Sequence, residues 1–205
     1  MDLRNKKILM VMAHCDDEII CGWPIFQEES FEKKILIVSS DLKNKERVWC
    51  SHRKFVFREV CKSYNISQKC LNFDSRFSMN LKKINYLKNS ILDEIDKNDF
   101  DFIFTHNYFG EYLHPDHIFL FDLISKNYKS KLIISDINYT YLRDRYKMYD
   151  ISRVKKFKKY FFEKKILNLK LDQNVFDDVK EYYKTFNVWT WSNNIIKNKA
   201  SLYLI

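Results

Sequence analysis

Residues 7–18 read Lys-Ile-Leu-Met-Val-Met-Ala-His-Cys-Asp-Asp-Glu. The run from Lys7 to Met12 is short, continuous and apolar, which is the pattern of a strand buried on both faces. It passes without a break into His14, Cys15, Asp16, Asp17 and Glu18, where a helical pattern begins. A buried strand that ends in potential ligands and acid–base groups points to an open parallel sheet. In such sheets chemistry gathers beyond the C-terminal strand ends.

Working outward, the same reading recurs. A second buried strand falls at 34–39, shorter ones at 69–73, 100–105 and 131–137, and a less regular one at 160–171. Helical patterns begin at Asp16, with interruptions at Gly22 and Pro24, and cover 46–64, 81–97, 115–125 and 175–186. Strands that alternate with helices of these lengths predict βαβ units. The expected class is α/β: a Rossmann-like three-layer sandwich with a mostly parallel sheet and the active site at its C-terminal strand ends. One domain over 1–205 is expected, with a core of about 1–140 and a less regular part from about 141.

Composition narrows the function. The 205 residues are 46% hydrophobic and 31% charged, too apolar for a disordered chain. Only two glycines and two prolines occur, so neither a Walker loop nor a dinucleotide fingerprint can be written with Gly22 and Gly110 alone. The apolar stretch at 8–13 is too short for an export signal, and no run approaches the roughly 20 residues of a membrane helix. A cytoplasmic protein is expected. Five cysteines, an odd number without a C-x-x-C pair, read as free thiols. The net charge is +9, and residues 143–170 hold eleven basic against three acidic side chains. That segment reads either as a solvated lysine-rich face or as a surface for an anionic substrate, membrane or nucleic acid.

A second polar cluster follows the strand at 100–105: Thr105-His106-Asn107, then Gly110-Glu111-Tyr112-Leu113-His114-Pro115-Asp116-His117. The residue before proline is driven extended, and proline suits the first turn of a helix. His114 is therefore expected at a helix entrance, with Asp116 and His117 in the first turn and pointing back toward the strand ends. A metal held by His14, Asp17 and His117 would keep an open position, as catalytic zinc requires. The same set suits non-haem iron, and aspartates at a helix start also serve simply as dipole partners. Asp16 is the candidate base, His114 the candidate acid or oxyanion partner, and Asp116 is expected to orient His114 and hold it protonated.

These two stretches resemble the PIG-L/LmbE-like deacetylases, which remove the acetyl group from N-acetylglucosamine units. The family pattern A-H-P-D-D-E matches Ala13 to Glu18, with Cys15 in place of proline, and H-P-D-H matches His114 to His117. The resemblance covers roughly residues 7–140. It implies metal ligands at His14, Asp17 and His117, a general base at Asp16, and an oxyanion-stabilising histidine at His114 with Asp116 as its partner. It further implies a carbonyl-assisting tyrosine at Tyr112 and substrate contacts at Arg53 and Asp74. The implied cofactor is Zn2+, with Fe2+ or another divalent metal as alternatives. The implied substrate is an N-acetylglucosamine-type sugar, free or carried on a nucleotide, lipid or glycan. Trp189 and Trp191 read, apart from the resemblance, either as rings that stack on a sugar face or as core and edge packing. No nucleic acid and no transmembrane segment are expected. Two other readings stay open: an amidase for a different amide with the same metal site, and an inactive anion- or nucleic-acid-binding protein on this fold.

Overall fold

A computed structural model describes residues 3–39, 48–74, 76–137, 164–189, 191 and 199–205. The basic stretch 143–163 lies outside these residues, as does the start of the strand expected at 160–171. One sheet runs through the described chain. Its strands are β1 (Lys7–Met12), β2 (Glu32–Ser39), β3 (Ser67–Phe73), β4 (Phe102–Thr105), β5 (Leu132–Ser135), β6 (Lys164–Lys170) and β7 (Lys199–Leu204). Their order is β3-β2-β1-β4-β5-β7-β6. The first five are mutually parallel, with Met10 of β1 level with Ile35 of β2 and Phe104 of β4. β7 runs antiparallel to β5 and to β6.

The helices are α1 (Asp17–Ile20), α2 (Trp23–Phe26), α3 (Val48–Ser63), α4 (Ile84–Asp96), α5 (Gly110–Leu113), α6 (Pro115–Tyr128) and α7 (Gln173–Thr185). The period-2 alternation of side chains along each strand sorts them into two cores. Ile8, Met10, Met12, Ile35, Ile37, Phe104 and Ile133 face one side, where Trp23 and Phe26 of α2, Val56 and Val60 of α3, and Phe176 and Val179 of α7 pack. Leu9, Val11, Leu36, Val38, Ile103 and Ile134 face the other, against Leu87 and Ile91 of α4 and Leu120 and Ile124 of α6. Burying one such side chain fully is worth roughly 1.5–3 kcal/mol, so a strand covered on both faces has to be apolar throughout. The result is the three-layer α/β sandwich that the apolar runs predicted.

Two departures from the sequence reading have local causes. The helix expected from Asp16 is two short helices divided at Gly22. A Cβ at Gly22 would lie 2.5 Å from Met10 Cε and 2.8 Å from the Glu18 carbonyl, so only glycine lets this turn press on β1. The strand β7 was not anticipated. It enters between β5 and β6, and the edge strand β6 it carries exposes Lys164, Lys165 and Lys170, charges that discourage edge-to-edge pairing. No helix among the described residues is long and apolar enough to cross a membrane.

The chain order matters for the site. The sheet grows from β1 to β2 and β3 on one side and resumes at β4 and β5 on the other, so the order reverses between β1 and β4. That switch point is where an open sheet leaves a crevice beyond its strand ends. His14 follows β1 and His106 follows β4, and each polar cluster therefore enters the crevice from one of its walls.

Candidate functional site

The backbone is bent sharply on both walls. Asp16 caps α1 with φ 98°. After β4 the chain passes through Gly110, Glu111 and Leu113, with φ values of 55°, 55° and 64°, and then through His114, which is extended as its place before Pro115 predicted. Left-handed conformations at non-glycine residues cost of order 1–2 kcal/mol each and persist where the surroundings enforce them. Gly110 has no alternative residue: a Cβ there would meet Ile118 Cγ1 at 2.9 Å and His117 Cβ at 3.0 Å. These bends lay α5 across the first turn of α6.

The consequence is convergence on one atom. Asp17 Oδ2 lies 3.2 Å from His14 Nδ1 and 3.2 Å from His117 Nε2. Its oxygen also accepts the His14 backbone N–H at 2.8 Å. His14, His114 and His117 each offer a ring nitrogen within 4.8 Å of the others. Asp17 and His117 are fully enclosed. Burial pushes Asp17 up, but the two imidazoles outweigh it and hold the carboxyl well below its usual range.

The outer nitrogens of both imidazoles are held by carboxylates. His117 Nδ1 is 2.8 Å from Glu111 Oε2, and His14 Nε2 is 3.1 Å from Asp116 Oδ2. Such pairs fix the ring orientation and the tautomer of metal-binding histidines. His117 Nε2 is buried and makes no hydrogen bond, although Asp17 Oδ2 stands nearby. Burial lowers the His117 pKa, but Asp17 and Glu111 outweigh it and raise it to about 9, so a cation here would bind by displacing the Nε2 proton. A buried ring nitrogen without a hydrogen bond, set beside a carboxylate and a second imidazole, fits a divalent cation.

His106 differs. Its Nε2 accepts the Ala13 N–H at 3.0 Å and its Nδ1 donates to the same Glu111 oxygen at 2.9 Å. Cys21, His106, Glu111 and His117 also place ligand atoms within 4.8 Å of one another, but both nitrogens of His106 are committed and Glu111 Oε1 accepts the Asn107 N–H. Burial pushes Glu111 up, yet His106 and His117 hold it down at about 2. The sequence reading placed Glu111 and His106 in the second polar cluster but gave neither a role. Their signal was there, since both fall in the twelve-residue cluster around His114.

Asp116 corrects an expectation. Its carboxylate accepts from Arg76 N at 2.8 Å, from Ser78 N at 3.1 Å and from the Ser78 hydroxyl, and its remaining partner is His14. It does not hold His114 protonated. Only the Asp116 backbone N–H reaches His114, donating to Nδ1 at 3.2 Å. Burial, followed by His117 and His14, pushes His114 down to about 3. His114 is therefore a neutral imidazole with its proton on Nε2.

Asp16 Oδ2 is gripped by Arg53 Nη2 at 2.7 Å and by Trp191 Nε1 at 3.3 Å. Burial outweighs Arg53 and raises Asp16 to about 6. Arg53 thus sits on Asp16. The Tyr112 ring lies 5.1 Å from that of His117, 5.5 Å from that of His114 and 5.0 Å from that of Trp191. Trp189 packs on Phe176 and Tyr183. Asp74 lines a groove of about 940 Å³ beside the site. The Cys15 thiol hydrogen-bonds to Cys70, which with burial pushes it well up, and it packs in the core. Glu18, to which the sequence gave no individual role, accepts Asp16 N at 2.8 Å and the Tyr183 hydroxyl, tying the turn after β1 to α7.

No protein-family model matches the sequence, and no curated protein matches it. Solved structures do. The A40926 pseudoaglycone deacetylase Dbv21 aligns over 98% of this chain and 98% of its own, at 12% identity and a TM-score of 0.62. The zinc-inhibited form of the teicoplanin deacetylase Orf2 aligns over 96% and 97%, at 11% identity and 0.60. GalB, the 4-carboxy-2-hydroxymuconate hydratase of Pseudomonas putida KT2440, aligns over 97% and 95%, at 10% identity and 0.54. At these identities the likeness establishes the fold alone, and that fold carries more than one chemistry.

Proposed function

We propose that the protein is a metal-dependent deacetylase that hydrolyses the acetamide of an N-acetylated amino sugar of the N-acetylglucosamine type. The observation that carries this reading is the convergence of His14 Nδ1 and His117 Nε2 on Asp17 Oδ2, each ring backed by its own carboxylate. The two deacetylases of the same fold support it.

His14, Asp17 and His117 hold the divalent cation, zinc first, with Fe2+ or another divalent metal suited to the same donors. When bound, the ion supplies Lewis acidity toward the acetyl carbonyl and makes water a stronger acid. Asp16 accepts the proton of the attacking water. Arg53 and Trp191 fix its Oδ2. His114 donates from Nε2 to the carbonyl oxygen as it gains charge, and Tyr112 flanks that position. The proton held by Asp16 then passes to the leaving amine, and acetate and the amino sugar depart.

The test combines metal analysis of the purified protein with acetate detection on N-acetylglucosamine derivatives. About one equivalent of bound divalent metal and acetate release are expected. Metal without acetate from any N-acetyl sugar, but turnover of another amide or of an unsaturated acid, would move the protein to an amidase or a hydratase. Neither metal nor turnover would leave an inert binding protein.

A further inference from the structure

The groove beside the site is formed by the end of β3, the turns at 76–83 and the first turn of α4. It shares a wall with the site. The backbone N–H groups of Arg76 and Ser78 bind Asp116, and the Phe77 ring lies 6.3 Å from that of His14. Its volume, about 940 Å³, is at the upper end of the roughly 300–1,000 Å³ of drug-sized ligand sites, more room than one sugar ring needs.

The lining has a definite chemistry. Arg76, Lys82 and Lys83 all line the groove, all are exposed, and no carboxylate among the described residues forms an ion pair with any of them. Asp74 is the one acidic side chain in the lining. Beside the cations stand Leu81, 78% exposed, and Tyr86, 68% exposed, the latter 5.8 Å from the Phe73 ring. Three cations against one carboxylate leave two positive charges facing a concave wall. Lone lysines on a convex face are merely solvated, but cations gathered in a cleft raise the local concentration of anions. A carboxylate calls for one such partner; a phosphodiester or diphosphate can use two or three.

We propose that this groove binds the phosphate of a carrier, so that the substrate is an N-acetylated amino sugar linked through phosphate. This rests on the deacetylase reading of the neighbouring site. With the acetamide at the His14–His117 centre, the sugar lies along Arg76 to Ser78, its phosphate meets Arg76, Lys82 and Lys83, and the remainder of the carrier lies against Leu81 and Tyr86. An apolar chain and a nucleoside base both suit that last surface.

Calorimetric binding of N-acetylglucosamine 1-phosphate and of the neutral methyl glycoside tests the phosphate site without requiring turnover. The phosphorylated sugar is expected to bind about tenfold tighter. The preference should shrink as salt rises from about 0.05 M to about 0.5 M and fall toward unity in the Lys82→Ala/Lys83→Ala protein, whose melting temperature serves as the folding control. Equal affinities, or a preference unchanged in the folded double variant, overturn the proposal. Uridine diphosphate-linked and short-chain lipid phosphate-linked sugars form two further arms, and the tighter of them names the carrier. Acetate release from the same ligands reads the neighbouring site separately. Preference without acetate removes the deacetylase reading and upholds the phosphate groove, whereas acetate without preference removes the groove alone.

Discussion

Four histidines crowd the crevice, and each is distinguished by what its second nitrogen does. His106 and His117 stack with ring centroids 3.7 Å apart and donate to one oxygen of Glu111, but His106 Nε2 accepts the Ala13 N–H while His117 Nε2 faces Asp17 without a hydrogen bond. His14 is held from outside by Asp116, and His114 accepts a backbone N–H and stays neutral. The residue types and the order of His14, Asp17, His114 and His117 were legible in the sequence because both clusters sit at strand ends. The partner of Asp116 was not, because one neighbouring position in the chain, His114, competes with a residue 102 positions away, and only the fold decides between them. At this scale Asp16 makes a sharp prediction. Burial holds its pKa at about 6, and the proposed role of base requires the ionised form, so kcat/KM should climb with pH through about 6 and level off above it. Asp16→Asn should lower the rate by on the order of a hundredfold or more and abolish that acid limb, with metal content retained. A variant that keeps both rate and limb assigns the base elsewhere.

At the scale of elements, the site depends on how α5 is folded against α6. The sequence announced α6 by Pro115 and the extended residue before it, a local steric rule. It did not announce α5, four residues that carry non-helical angles at Glu111 and Tyr112 and exist because Asn107, His106 and His117 all bond the Glu111 carboxylate. Gly110 is the hinge of this arrangement. Gly110→Ala places a methyl group against His117 and Ile118 at a positive φ, and should cost about 1–2 kcal/mol of stability by denaturant titration. Because the displaced ring is a candidate ligand, the same variant should also weaken metal affinity in a chelator competition. Loss of stability with undiminished affinity would show that the α5 bend does not position His117.

At the scale of the molecule, the proposed metal centre is assembled from the ends of two strands, so binding an ion there would be tied to folding. An ion that binds only the folded chain at a hundredfold excess over its Kd adds about 2.7 kcal/mol. For a chain of this size that raises Tm by about 5–10 °C. Stripping the metal should lower Tm by that much, and His117→Ala should remove the response; a Tm indifferent to the ion would argue against the centre. By itself the sequence determined the apolar runs, hence β1 to β5 and both buried faces, and it determined which donors stand at the ends of β1 and β4. Those features are local, since periodicity and proline sterics act within a few residues. The tertiary structure alone decided that β7 slips between β5 and β6, that Glu111 braces two imidazoles, that Asp116 turns to His14, and that three cations share one groove. Each of these requires groups distant in the chain to meet. Their pairing energies depend on burial and direction, which no short window of residues contains.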